Sequence, residues 1–272
     1  MRISTIPCRR NVNAAVLSLV SATVLPLCGV GAANAGTTNL SYTADFNGST
    51  LPAGSTATGT AALVTGNGVT RLRLAQFLVQ QSTGTWDSGS LSLAAGGSIT
   101  SFNATFDFGF NDTDLAQRTD YLAFRVGGLE IGFSLVSNPG VSASWQGSQE
   151  AYTAHNANFL DSAFSVNNSG TNWLIGGSAE ITWAQGGNLV VDLTLPGFSQ
   201  SNYLTTSAVG SITLGDTTTF GFASWQGVNT SDSWVDNLNI DYVYVTPTGV
   251  PGAGLAGLAT LGLARVARRR RR

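Results

Sequence analysis

The sequence predicts an all-β chain folded as a two-sheet antiparallel jelly-roll sandwich, and three observations carry the prediction. Between Ser98 and Leu135, Phe102, Ala104, Phe106, Phe108 and Phe110 take every second position, with Asn103, Thr105, Asp107 and Gly109 between them. A period of two is that of a strand with one face in a core and the other in water. The pattern returns in Leu122, Phe124 and Val126 and, after Gly127-Gly128, in Leu129, Ile131, Phe133 and Leu135. Turn residues recur at short spacing throughout, and almost nothing reads as helix. The three amphipathic strands read as neighbours in one sheet whose apolar face requires a second layer.

Composition supports this class and excludes others. The chain has 272 residues, of which 10% are charged and 33 are Gly. It has no Lys, and nine of its arginines lie at the two ends, leaving Arg71, Arg73, Arg118 and Arg125 in the middle. All 15 acids fall between Asp45 and Asp241, so four arginines oppose them there, a formal −11. Phosphate binding needs clustered cations, so no nucleic-acid partner is expected. Gly, Ser, Thr, Asn, Val and aromatics suit a secreted β-rich domain better than a helical cytosolic enzyme. Both cysteines, Cys8 and Cys28, precede residue 36. A body without thiols must be stabilised by its core alone.

Taken in order, residues 36–67 are rich in Gly, Ser, Thr and Ala, with Tyr42 and Phe46 as strand anchors and Leu51-Pro52 as a turn. Leu72 and Leu74 alternate with Arg71 and Arg73 in a short strand. A helix over Leu72–Gln81 would lack both a cap and a long apolar stripe. Residues 138–172 are polar and weakly periodic, with Pro139-Gly140 as a turn. Ala179, Ile181 and Trp183 alternate, Gln185-Gly186-Gly187-Asn188 turns the chain, and Leu189, Val191, Leu193 and Leu195 return, which makes a hairpin. Phe220 and Phe222 lead into a loop carrying Asp232, Trp234 and Asp236, and Leu238, Ile240, Tyr242 and Tyr244 form the last strand. One local echo stands out: Ala143-Ser144-Trp145-Gln146-Gly147 recurs as Ala223-Ser224-Trp225-Gln226-Gly227.

The ends read as addresses. Residues 1–35 have a basic start (Arg2, Arg9, Arg10), an apolar run from Ala14 to Val30, and Ala33-Asn34-Ala35 before Gly36. That is a signal peptide with a signal-peptidase site. A lipoprotein would be cut before Cys28, but Pro26-Leu27 suit that cleavage poorly. Residues 247–272 hold a break at Val250-Pro251, an apolar run from Gly252 to Ala264, and a cluster made of Arg268, Arg269, Arg270, Arg271 and Arg272. As a helix the run covers about 20 Å, short of a hydrocarbon core about 30 Å thick. It is a marginal span whose positive end stays cytoplasmic. This three-part tail resembles the PEP-CTERM sorting signal of Gram-negative bacteria, which an exosortase-type enzyme recognises and cleaves. Val250-Pro251-Gly252 stands where that family has Pro-Glu-Pro. The resemblance implies transient insertion of the tail in the inner membrane and a product in the envelope, at the cell surface or in the extracellular matrix. A plain tail anchor and a disordered Ala/Gly tail are the alternatives. The chain thus divides into a signal peptide (1–35), a sandwich (36–246) and a sorting segment (247–272).

The body resembles the concanavalin A-like fold, and within it the L-type lectins, over roughly Leu63 to Val245. The residues that carry this are RLRL then TGTWDSGSLSL, SFNATFDFGF, Asp120-Tyr121-Leu122-Ala123-Phe124, AEITWAQGGNLVVDLTL, and FGFASWQG with SWVDNLNI before the last strand. The family's sugar-binding signature is Asp-Gly-x-Ala-Phe; Asp120 matches its aspartate, and Tyr121 replaces its glycine. A tyrosine there would narrow the pocket or stack on a sugar ring. The family's calcium/manganese loop needs Glu-x-Asp. Glu130 matches the glutamate, but Gly132 stands at the aspartate, so the resemblance implies that the standard metal site is absent. The fold also hosts glucanases with Glu-x-Asp-x-x-Glu, a spacing that Glu130, Glu150 and Glu180 do not form; an enzyme needs two carboxylates flanking the bond. His155, the sole histidine, sits in a polar stretch and reads as solvated rather than as a base.

The candidate ligand-binding residues are therefore Asp120, Tyr121, Trp145 and Trp225, since an indole face suits the apolar face of a sugar and a carboxylate accepts from its hydroxyls. Tryptophan is more often a core residue than a platform, so each also reads as core. Asp112, Asp114 and Asp120 crowd one loop and offer calcium a set of oxygen ligands, or are simply an acidic solvated loop; no other cofactor is expected. Three classes follow: a surface protein binding extracellular polysaccharide, a structural matrix protein with no small ligand, and, disfavoured, a glycan-active enzyme. The end readings predict a mature protein that begins at Gly36 and lacks Arg272. N-terminal sequencing and intact mass check this; a lipid-modified Cys28 start or a retained Arg272 would overturn it.

Overall fold

The computed structural model describes residues 36–66, 68–76, 82–112, 121–134, 140–154, 177–195, 198–225 and 231–246. The signal segment and the sorting tail, with Val250, Pro251 and Arg268–Arg272, lie outside them, as do Asp114, Asp120, His155 and the side chain of Asp112. The compact unit spans Thr37–Thr246 and is all-β. No helix among the described residues is long and apolar enough to cross a membrane.

One antiparallel sheet contains β1 (Thr37–Ala44), β3 (Ala62–Gly66), β4 (Val69–Ala75), β6 (Ser98–Asp112), β11 (Gly177–Ala184), β12 (Leu189–Leu195), β13 (Phe198–Thr206), β14 (Leu214–Gly215) and β16 (Ser231–Val245). Its order is β13-β12-β11-β6-β16-β4-β3, with β1 also on β16 and β14 on β6. The other contains β2 (Thr56–Gly59), β5 (Thr83–Asp87), β7 (Tyr121–Val126), β8 (Leu129–Ser134), β9 (Gly140–Trp145), β10 (Ser148–Ala154) and β15 (Phe220–Trp225), in the order β10-β9-β8-β7-β15-β5-β2. This is the two-sheet sandwich that the alternation requires.

The inward faces meet in an aromatic core. Phe102, Ala104, Phe106, Phe108 and Phe110 of β6 are all buried, as are Leu122, Phe124 and Val126 of β7 and Leu129, Ile131 and Phe133 of β8. Phe106 reaches three strands of the opposite sheet: its ring lies 5.5 Å from Phe124, 5.9 Å from Phe133 and 5.0 Å from Phe222, the last two edge to face. Each such pair adds about 0.5–1.5 kcal/mol to the burial itself. Trp86 closes the β5 end against Phe46, 5.1 Å away.

Two expectations are corrected. β6 is not a sheet neighbour of β7 and β8; it lies in the facing sheet and packs on them. Alternation says which face is buried, not which sheet a strand joins, and β6 and β7 are separated by eight residues, not by a two-residue hairpin turn. Asp232, Trp234 and Asp236 do not lie in a loop but within β16. A bulge at Asn237, with φ 51°, explains the misreading. Ser233 and Val235 face inward before it, and Leu238 and Ile240 after it, so the inward positions change parity and the pattern seems to begin at Leu238.

The bulge also holds the one strongly buried charge cluster among the described residues. Arg71 Nε lies 3.6 Å from Asp236 Oδ2, and its guanidinium sits 3.9 Å above the Trp234 ring. Asn237 donates from its backbone N to Asp236 Oδ1 at 2.9 Å and from Nδ2 to Asp107 Oδ2 at 2.7 Å. Burial pushes the Asp236 carboxyl up to about 6; the Asn237 bond and Arg71 oppose the rise, and Asp107 and Asp45 add to it. The folded chain thus holds this proton more tightly than the unfolded one. That contribution is complete below about pH 4 and is lost as pH rises through about 6. Urea unfolding should show the wild type losing at most about 3 kcal/mol relative to Asp236→Asn between pH 4 and pH 7. Parallel pH profiles for the two proteins would refute this origin.

Candidate functional site

Two of the four sequence candidates, Tyr121 and Trp225, lie on the outward face of the seven-stranded sheet. Because Leu122, Phe124 and Val126 point into the core, Tyr121, Ala123 and Arg125 point out. Register aligns Asp87, Gly221, Arg125, Glu130 and Ser144 in one row across the strands. Thr85, Ala223, Ala123, Gly132 and Ser142 form a second row, and Thr83, Trp225, Tyr121, Ser134 and Gly140 a third. The third row is anchored through the core. Ala75 N donates to Ser233 Oγ at 3.0 Å, Ser233 Oγ to Ser224 Oγ at 2.6 Å, and Ser224 Oγ to the Tyr121 carbonyl at 2.9 Å. These bonds tie the start of β7 to β4 and β16 of the other sheet.

Tyr121 is the centre of the face. Its hydroxyl donates to Glu130 Oε1 at 2.6 Å, and Arg125 Nε donates to Glu130 Oε2 at 2.8 Å. Burial and the bond to Glu130 push the phenol above its ordinary pKa. The ring leans over Gly132, where an added Cβ would stand 2.5 Å from Tyr121 Cζ. The residues of the lectin-type metal loop therefore do not fit a metal. Both oxygens of Glu130 are engaged by protein donors, and the tyrosine occupies the space that an aspartate at 132 would need. Among the described residues, no group of three or more His, Cys, Asp or Glu could hold a metal ion. Asp112 is not in a loop but ends β6, paired with Ser231, and residues 113–120 fall outside the described residues.

The two tryptophans of the repeated pentapeptide have opposite fates. Ala143 is fully buried and Trp145 packs against the core beside Gly128. Trp225 points outward and is 47% exposed, next to Tyr121 in the row. The same five residues occur on strands of opposite parity, so Trp145 is no platform and Trp225 has the exposure of one. Sequence reasoning missed Tyr152 of β10, 38% exposed on the same face, opposite Ser142. Its signal was the weak alternation of Ala151, Tyr152 and Thr153. A Cβ at Gly140 would stand 2.7 Å from Tyr152 Cε2, so this ring too leans onto a glycine.

At the turn end of the sheet, Asp87, Arg125, Glu130, Ser144 and Gln146 line a groove of about 370 Å³. Asp87 and Glu130 are three strands apart, about 14 Å at the usual strand spacing, well beyond the separation of a glycosidase acid pair. Asp87 accepts from Gly89 N at 2.7 Å and Thr219 Oγ1 at 2.8 Å, which fits a structural role. Glu180 is on the other sheet, bonded by Asn103 Nδ2 at 2.6 Å.

The engagement of both Glu130 oxygens by protein donors makes a direct prediction. EDTA and millimolar calcium should leave the thermal midpoint unchanged. Gly132→Asp, which forces the Tyr121 ring out, should destabilise by about 1–3 kcal/mol, and adding Tyr121→Gly should recover part of the loss. A midpoint lowered by EDTA would contradict the self-sufficient site.

No family model matches the chain, and no curated protein matches its sequence. Solved structures do. Lectin I-B4 from Griffonia simplicifolia, in a metal-free form, shares 16% identity, aligns over 74% of this chain and 98% of its own, and gives a TM-score of 0.57. Lectin II from Ulex europaeus shares 14% over 75% and 98%, with a TM-score of 0.56. The Bauhinia forficata lectin in complex with GalNAc shares 13% over 78% and 100%, with a TM-score of 0.54. At these identities the likeness is one of architecture, and the body has the concanavalin A-like sandwich of the legume lectins.

Proposed function

We propose that this protein is an exported, non-catalytic carbohydrate-binding protein, and that the outward face of its seven-stranded sheet is the binding surface. The observation that carries this reading is Trp225: a large aromatic side chain, 47% exposed, held in register beside Tyr121 and directly C-terminal on β15 to a buried serine relay. A soluble protein leaves a large ring in water on a rigid sheet at a cost of apolar exposure, and sugar C–H faces are a natural cover. Asp120, adjacent to Tyr121 in the chain, would supply the carboxylate acceptor. The tail directs the product to the envelope, surface or matrix through an exosortase-type enzyme after signal peptidase has acted.

A glycan array with wild type and Trp225→Ala, in calcium and in EDTA, tests the reading. Wild type should bind a glycan equally in both buffers, and Trp225→Ala should weaken that binding by roughly tenfold or more. A wild type that binds no glycan would instead support a structural matrix protein.

A further inference from the structure

The same face carries a second exposed ring, and its position bears on the shape of the ligand. Side chains on a sheet normally stand roughly perpendicular to it. Tyr121 and Tyr152 do not. A Cβ on Gly132 would stand 2.5 Å from Tyr121 Cζ and one on Gly140 would stand 2.7 Å from Tyr152 Cε2, so both rings lean down over a neighbouring strand. At Gly132 a side chain would have to displace the ring, and at Gly140 it would meet the Thr153 carbonyl as well as the ring. Trp225 on β15, the Tyr121 ring over β8 and the Tyr152 ring over β9 therefore succeed one another across the strands. From β15 to β9 is three strand spacings, about 14 Å. Trp225 and Tyr152 at its two ends are, with Val69, the large hydrophobic residues exposed among the described residues.

We infer that this aromatic strip binds an extended, neutral chain of β-1,4-linked pyranose units lying across β15, β7, β8 and β9, rather than a single terminal sugar. The inference rests on the carbohydrate-binding reading and adds a ligand class to it. A terminal sugar covers one ring and leaves Tyr152 unexplained. Equatorial 1,4 links give a flat ribbon with C–H groups on both faces, which matches rings laid along a sheet. The charge of the body argues for neutrality: four arginines oppose 15 acids in the middle of the chain, and Arg125, the cation of this face among the described residues, is paired with Glu130 at 2.8 Å. A polyanionic glycan would meet a repulsive field.

Titration of the purified protein with the hexaoses and disaccharides of β-1,4-linked glucose, mannose and xylose tests this. At least one hexaose should bind tenfold or more tightly than its disaccharide. Tyr152→Ala should weaken that hexaose by about tenfold and leave the disaccharide unchanged. Tyr152→Phe, which keeps the ring, should retain wild-type affinity, so that a loss in the alanine variant is not a loss of fold. The strip is overturned if no hexaose outbinds its disaccharide, or if Tyr152→Ala binds the hexaose as wild type does. Should Trp225→Ala weaken hexaose binding while Tyr152→Ala does not, or an array glycan bind while all three hexaoses fail, the strip falls and the single-site lectin reading stands. Failure of every glycan removes both.

Discussion

The contact of Phe106 with Phe124, Phe133 and Phe222 is the constraint on which the remaining geometry depends. One ring from the centre of the longer sheet touches three adjacent strands of the other, at 5.0 to 5.9 Å. Because side chains alternate along a strand, fixing an inward residue on β7, β8 and β15 also fixes what faces out. A slip of one residue on β7 would bury Tyr121 and Arg125 and expose Leu122 and Phe124. The outward rows are therefore specified by the core beneath them and not by contacts of their own. This is why a surface made partly of Gly, Ala and Ser can keep a defined arrangement of rings and hydrogen-bonding groups.

What the sequence revealed and what it concealed follow from the same alternation. The hairpins β7–β8 and β11–β12 were legible because apolar residues alternate up to a glycine-containing turn and resume after it. The bulge at Asn237 concealed half of β16, since an inserted residue changes the parity of every position beyond it. β2 and β14 have four and two residues, too few to show a period. The repeated pentapeptide misled for a related reason. Which face a residue takes is set by the strand's register in the whole sheet, so Trp145 and Trp225 diverge although their neighbours in sequence are the same. Tyr152 was illegible because the glycine that receives its ring, Gly140, lies on another strand and read as part of a turn.

Two arrangements of charged side chains stand out in the body. Arg71 lies between the Trp234 ring and the Asp236 carboxylate, with Asp107 attached to the same bulge through Asn237. Arg125 and the Tyr121 phenol share the two oxygens of Glu130. The two arrangements differ in exposure. Asp236 is nearly inaccessible and strained electrostatically, which raises its pKa to about 6, whereas Arg125 is 46% exposed and contributes position more than stability.

Tyr121 and Gly132 are best understood as a pair. Where the lectin signature has a glycine, this chain has a large ring; where the metal loop has an aspartate, this chain has no side chain at all. The volumes are complementary, since the ring fills the space that the missing carboxylate vacates and its hydroxyl reaches the glutamate that a metal would otherwise draw in. Tyr121, Glu130 and Arg125 form a phenol–carboxylate–guanidinium contact built on two strands of a rigid sheet. Such a contact needs no metal in the surroundings and no deprotonated ligand cage, and it adds an aromatic surface that the metal would not have supplied. Tyr121 over Gly132, with Trp225 beside it, gives this face an aromatic surface. A face of that shape favours stacking over coordination, and with Trp225 and Tyr152 at its ends it extends beyond the width of one sugar.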